Sequence, residues 1–309
     1  MRLQSSRVAL AACTEYDPVL LADRLDLVLG AVGTLPSMHS CHVLLKPNLI
    51  ATRYGPLPCT ESAFMLAVAR WFVDHGARVA IGDSPAFGTA EVALRTLGVA
   101  RGLAALGVRI DNFSEVRNVR LACGDRAGVA AAAMDCDLLV NLPRVKAHAQ
   151  TRVTLAVKNC FGCLAGLRKP WWHMAYGGAG NGFCDRLVQL LDVLADSLTL
   201  TDAVTAMHET GPLHGCPYDL GLIAASQNPV AMDSALLDIL GISPQLSPLM
   251  LACRQAGLAG SRLEDIFFPL QKPEQFRVVD FRVPDQLAPI RFDLFRFMRN
   301  MVRRAVRRT

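Results

Sequence analysis

No stretch of this chain holds the ~18 consecutive apolar residues that a membrane-crossing helix needs, so no such helix is expected. The amino terminus lacks a charged segment followed by an apolar one, which argues against a secretory leader. Neither G-x-G-x-x-G nor G-x-x-x-x-G-K-[ST] occurs, and the standard dinucleotide and P-loop phosphate sites are therefore disfavoured. A Cys-x-x-Cys-x-x-Cys run is also missing, so an iron-sulfur cluster is not expected in this chain. Cysteine itself is plentiful, at ten residues, but without framework spacing. Thiols scattered through apolar segments fit a reducing cytoplasm, and no disulfide is expected. Cys160-x-x-Cys163 stands alone, without a second pair, and reads as core packing.

What is present is apolar: 52% of the 309 residues are hydrophobic, enough for one large or two medium domains. The net charge of +5 is concentrated. Residues 291–309 hold seven arginines and one acid, Asp293, while the rest of the chain carries 25 basic against 26 acidic residues. With 6% aromatics and a neutral body, the chain offers no interleaved basic and aromatic face, so nucleic acid is a disfavoured partner. Within the tail, Phe292, Phe295, Met298, Val302, Ala305 and Val306 recur at helical spacing with arginines mostly opposite. Residues 283–309 thus read as a basic amphipathic helix for an anionic membrane surface or protein partner, or one docked on its own body. The location implied is cytoplasmic, with a peripheral position on the inner face of a membrane as the variant the tail allows.

From residue 7 to 98 the chain repeats a short apolar strand, a charged turn and a helix. Strands are expected at 7–13, 41–45 and 78–81, and helices at 18–32, from Thr60-Glu61 as N-cap to His75, and at 88–98. The pattern predicts an α/β fold with a mostly parallel sheet, helices on both faces and functional loops at the strand carboxyl ends. The main domain is placed at 1–282, with a soft internal boundary near 98–118. Lys46-Pro47-Asn48 and Gly82-Asp83-Ser84-Pro85 each follow a strand. Asp83 reads equally as a metal or lysine partner and as a helix cap.

The densest chemistry lies at 137–176. An apolar run, Asp137–Leu142, breaks at Pro143 into a polar loop with Arg144, Lys146 and His148, and continues through Thr151, Thr154, Lys158 and Asn159 to Lys169 and His173. Lys146 and His148 alternate and so point the same way. Further on, a strand at 198–201 is expected to end at Asp202, with His208, Glu209 and His214 in the following loop. Asp233 sits in an apolar helix, where an unpaired carboxylate is costly. It is expected to pair with Lys146, Lys158 or a metal, or to act on a helix dipole.

LVNLPRVKAH at 139–148 followed by VTLAVKNCFGCLAG at 153–166 and His173 resembles the family called domain of unknown function 362. VLLKPNL at 43–49, GDSPAFGT at 82–89, TDAVTAMHETGPLHG at 201–215 and NPVAMDSALLDILG at 228–241 fit the same resemblance, which covers about residues 7–282. Many members carry a ferredoxin-like segment that this chain lacks. The resemblance implies function at Lys46 and a matching role for Asp233, and it leaves the reaction open.

The leading expectation is an enzyme for a small anionic substrate, carboxylate or phosphate, bound by Lys46, Asn48, Ser84, Lys146, Thr154 and Asn159. His148, Lys158 and His173 are the catalytic candidates, and Asp83, Asp202 and Glu209 would orient a lysine or hold a divalent metal. Three alternatives stand beside it: an accessory protein of iron-sulfur or electron-transfer partners, a membrane-surface scaffold, and a nickel-cofactor enzyme. The last rests on the His148, Lys158, His173 order, which resembles that around the modified lysine of nickel-pincer lactate racemases.

Overall fold

The computed structural model describes residues 6–86, 88–165, 172 and 182–288. Eleven strands are found there: β1 Ala9–Ala12, β2 His42–Pro47, β3 Arg78–Gly82, β4 Arg109–Asp111, β5 Val116–Arg120, β6 Arg126–Ala130, β7 Leu138–Leu142, β8 Arg144–His148, β9 Arg152–Thr154, β10 Ser197–His208 and β11 Cys216–Ser226. Nine share one sheet along the path β1-β11-β10-β7-β2-β3-β4, with β8 against β10 and β9 against β8, while β5 and β6 form a separate hairpin. The centre, from β10 through β7, β2 and β3 to β4, is parallel. At one edge β11 runs antiparallel to both β10 and β1.

The parallel strands are apolar runs because both faces are covered. Val43 and Leu45 point to one side, into a core shared with Leu21, Leu25, Phe64 and Val68 of the helices Pro18–Ala31 and Ser62–Asp74. Leu44 and Leu139 point to the other, with Leu187, Leu236 and Met250 of the helices Gly182–Leu190, Pro229–Ile239 and Pro248–Gln255. That period-two division is the pleat expressed in packing. The fold is α/β, a mostly parallel sheet between helices, as the sequence pattern predicts.

Local chemistry sets the helix starts. Asp17 accepts the amides of Val19 and Leu20 ahead of Pro18, Thr89 accepts that of Val92, and Asn228 accepts those of Val230 and Ala231. Thr60 departs from expectation. The N-cap position of its helix is Glu61, without a side-chain bond, while the Thr60 hydroxyl donates to the Leu142 carbonyl at 2.7 Å and accepts from the Asn48 amide at 2.8 Å. It ties the end of β2 to the end of β7.

Two expected loops are strands. Residues after Pro143 do not leave the sheet: β8 resumes beside β10, in parallel, so Arg144, Lys146 and His148 are buried. Likewise β10 does not stop at Asp202 but runs to His208, because β11 and β8 supply partners along its extension. Strands from both sides of residues 98–118 lie in one sheet, with β4 as its edge. All ten cysteines are free thiols, and among the described residues no helix is long and apolar enough to cross a membrane.

Candidate functional site

Lys46 lies near the carboxyl end of β2, Asp83 directly after β3, and Asn141 on β7 opposite Lys46 in register. The Lys46 ammonium is fully buried, 2.9 Å from Asp83 Oδ1, and donates to the Pro47 carbonyl at 2.8 Å. Asp83 Oδ2 accepts the Leu49 amide at 2.9 Å, which holds the turn after β2 against the end of β3. Gly162 backs this ion pair so closely that a Cβ there would fall 2.1 Å from Asp83 Oδ1 and 2.4 Å from Lys46 Nζ.

The segment after β9 closes the site from the other side. The helix Ala156–Asn159 is one turn long, and Asn159 Nδ2 donates to Asn141 Oδ1 at 2.8 Å and to the Lys46 carbonyl at 3.3 Å. Asn141 Nδ2 in turn reaches the Ala156 carbonyl at 2.9 Å. Lys158, on the same turn, is buried with its ammonium 4.4 Å from the Phe161 ring centroid and 5.0 Å from that of Phe183, positions that favour a cation electrostatically.

Asp233 anchors that turn. Its Oδ1 accepts the Ala156 amide at 2.7 Å, and the Val157 amide lies within 3.4 Å of both oxygens. Among the described residues its partners are therefore not a lysine but the opening amides of a second helix, which otherwise lack acceptors. Burial pushes the Asp233 carboxyl up to about 8, against the opposing pull of those two amides.

Lys146 is placed differently from Lys46. It is fully buried on β8, and its ammonium donates to two neutral oxygens, Asn48 Oδ1 at 3.1 Å and the Pro58 carbonyl at 2.6 Å. No carboxylate bonds to it among the described residues. Burial drives its amine down to about 7; Cys59 and Asp83 oppose that shift, and Arg144 and Lys46 add to it. Thr154 stands directly opposite across β8 and β9, on the same face. His148 is two residues further along β8, and its Nδ1 accepts the amides of Gln150 at 3.0 Å and Thr151 at 3.3 Å. Ser84 is half-buried, next to Asp83.

The three acids proposed as metal ligands are not brought together. Asp83 faces Lys46. Asp202 is fully buried, with Arg144 at 2.6 Å and the Glu61 amide at 2.9 Å on Oδ2 and the Tyr16 hydroxyl at 2.7 Å on Oδ1, so both its oxygens are bonded within the protein. Glu209 pairs with Arg282 at 2.6 Å and accepts from the Cys216 thiol at 3.2 Å. Among the described residues no three His, Cys, Asp or Glu side chains gather to hold a metal, so this donor set does not fit one. Cys160 and Cys163 are buried, and the Cys160 thiol donates to the Ala156 carbonyl at 3.5 Å. His173, Lys169 and the basic tail from residue 289 lie outside the described residues.

Residue chemistry alone missed Asn141, Tyr16, Cys59 and the contact of Gly162 with the ion pair. Asn141 carried a signal, since an amide inside the run LLVNL must find buried partners. Tyr16 carried none.

A family model described as Domain of unknown function (DUF362) matches residues 43–238, a span that contains Lys46, Asp83, Lys146, His148, Lys158, Gly162 and Asp233. The thylakoid-associated protein sll1697 of Synechocystis sp. is 38% identical over 277 residues, covering 88% of this chain and 85% of that protein. Among solved structures, the lactate racemase apoprotein of Thermoanaerobacterium thermosaccharolyticum superposes with a TM-score of 0.43 at 13% identity over 66% of this chain and 53% of that one. A Thermotoga maritima protein gives 0.42 at 13% identity, over 67% and 56%. The chain spans little more than half the length of either solved structure, and likeness at this level carries no argument about activity.

Proposed function

The chain belongs to the DUF362 family, and from that premise we propose that it is an enzyme whose strand-end cluster binds a small anion, a carboxylate or a phosphate. The observation that carries this reading is Lys146: a fully buried amine on a sheet strand, bonded to two neutral oxygens and to no carboxylate. A structural lysine in a core has a counter-ion, as Lys46 has Asp83. A lysine given only carbonyl-type acceptors gains its counter-charge from a ligand, and burial strengthens that attraction. Lys46 and Asp83 would fix the floor of the site, while Asn48, Ser84, Thr154 and Asn159 supply polar groups around the anion and Lys158 and His148 close its flanks.

The test is calorimetry and thermal shift of the full chain with inorganic phosphate, acetate, malonate and pyruvate. At least one should bind saturably, and Lys146→Met should weaken that binding tenfold or more, which is about 1.4 kcal/mol. Equal binding by the Met variant, or no saturable binding of any of the four, rejects the reading.

A second reading concerns location. The 38% identity to a thylakoid-associated protein, together with seven arginines in residues 291–309, supports peripheral attachment to an anionic membrane.

A further inference from the structure

We infer that the cleft at the amino ends of β2, β3 and β4 is a second binding site, for a monocarboxylate with a short apolar body. It lies at the end of the sheet opposite Lys46, and the inference goes beyond the proposed anion site without resting on it. The cleft has a volume of about 800 Å³, within the ordinary range for small-molecule sites. It is lined by Leu44 and Ala80, on the sheet face turned away from the helix Ser62–Asp74, and by Ala131, Ala132 and Cys136 from the segment ahead of β7. Short side chains at 80, 131 and 132 leave the space, and none of these lining groups brings a charge. An apolar body is therefore what fits between them.

Arg78 supplies the anion contact. It opens β3 beside His42 of β2, in register, and both line the cleft. The Arg78 Nε and Nη2 both donate to the Ser40 carbonyl, at 3.3 and 3.0 Å. That fills one edge of the planar guanidinium and fixes its direction. The other edge, Nη1 with the second hydrogen of Nη2, keeps its donors for a carboxylate held by two parallel bonds. Among the described residues no acid pairs with Arg78. Ser40 presents that carbonyl from a left-handed backbone, φ 61°, which a residue with a side chain seldom adopts.

The acids around the cleft set the charge of the ligand. Asp135 is neutralised by Arg117, whose two terminal nitrogens each meet one carboxylate oxygen at 2.5 Å. Asp111 accepts the Phe113 amide at 2.8 Å and lies 3.7 Å from Arg109. Asp137 accepts the His42 amide at 2.8 Å, with the His42 ring 3.9 Å away, and Glu115 stands exposed at the rim. These groups leave a place for one negative charge at Arg78 and repel the second charge of a phosphate. Arg78 and Ala80 share a face of β3 about 6.6 Å apart, a length that a six-carbon acid matches. From His42 to Lys46 the strand rises about 13 Å, so a ligand of that size does not reach both ends of the sheet.

Calorimetry of the full chain with sodium hexanoate tests this. Hexanoate should bind saturably to the wild type and to Lys146→Met, in which the strand-end site is disabled. In that Lys146→Met background, acetate, which lacks four methylenes, should bind at least about tenfold more weakly, and inorganic phosphate should not displace hexanoate. Arg78→Gln should weaken hexanoate at least about tenfold, and Arg78→Lys nearly as much, because an ammonium keeps the charge but not the paired donors. Ala132→Leu, which fills the cleft from its half-buried wall, should weaken it to a similar degree. Circular dichroism checks that each variant is folded. No saturable hexanoate binding, equal binding of acetate, displacement by phosphate, or wild-type affinity in folded Arg78→Gln, Arg78→Lys or Ala132→Leu overturns the inference. Loss of hexanoate binding in Lys146→Met assigns the acid to the strand-end site and overturns it as well, while leaving the proposed anion site standing.

Discussion

Gly162 shows how much a missing side chain can decide. The sequence offers it as one glycine of the CFGC turn, with nothing to distinguish it from Gly166 beyond. In the fold it is the only residue type that fits against the Lys46–Asp83 pair, since a methyl group would overlap both charged ends. Neither end can yield easily, because both side chains are buried and Asp83 also holds the Leu49 amide. Gly162→Ala is therefore expected to destabilise by about 1–3 kcal/mol, the usual range for overpacking. Urea unfolding with an unchanged midpoint would show that the pair does not rest on this backbone. Lys46, Lys146, His148 and Lys158 were legible as a cationic group at strand ends, because charge is rare beside apolar runs. Which lysine has a carboxylate and which has only carbonyl oxygens was not legible, because those partners come from residues 83, 48 and 58, far away in sequence.

Among the elements, β8 and the one-turn helix Ala156–Asn159 carry the site between them. A helix this short does not persist by its own hydrogen bonds. It is held by Asp233 at its start, by Asn141 on its first carbonyl and by Asn159 at its end. The ionisation of Asp233 therefore bears on stability. Its folded-state value, about 8, lies above the 3.8 of an exposed Asp, so the folded chain keeps a proton that the unfolded chain has released. The stability tied to that proton is complete at pH below 3.8 and is lost as pH rises through 8. Asp233→Asn has no such dependence. Its stability relative to wild type should improve by about 1.4 kcal/mol per pH unit between about pH 4 and 8. Urea midpoints at pH 5, 6 and 7 that shift in parallel for the two proteins would contradict this. Sequence pattern identified the apolar helix around Asp233 correctly; it could not show that the carboxylate serves another helix.

For the whole molecule, the sheet brings the amino-terminal repeats and the later strands into one layer, so residues from β2, β3, β7 and β8 converge at one end. The body is close to neutral and the terminal segment strongly basic, which separates binding of a small anion from contact with a surface. Vesicle flotation tests that separation: full-length chain should float with vesicles of about 30% phosphatidylserine at low salt, and chain ending at residue 288 should not. Each arginine near an anionic leaflet contributes about 1 kcal/mol, so the attachment should weaken steeply at high salt. Flotation that survives removal of the tail would assign the contact to the body instead.

The sequence by itself determined the α/β class, the two-sided burial of the central strands and the presence of a cationic cluster after them. These follow from local periodicity and composition, which the chain displays without being folded. Only the tertiary structure decided that the segment after Pro143 is a strand, that Lys46 is neutralised and Lys146 is not, and that Asp202 is closed off by Arg144 and Tyr16. The reason is that hydrogen-bond partners and burial are set by neighbours across the sheet, and a linear pattern of residues does not specify which strands become neighbours.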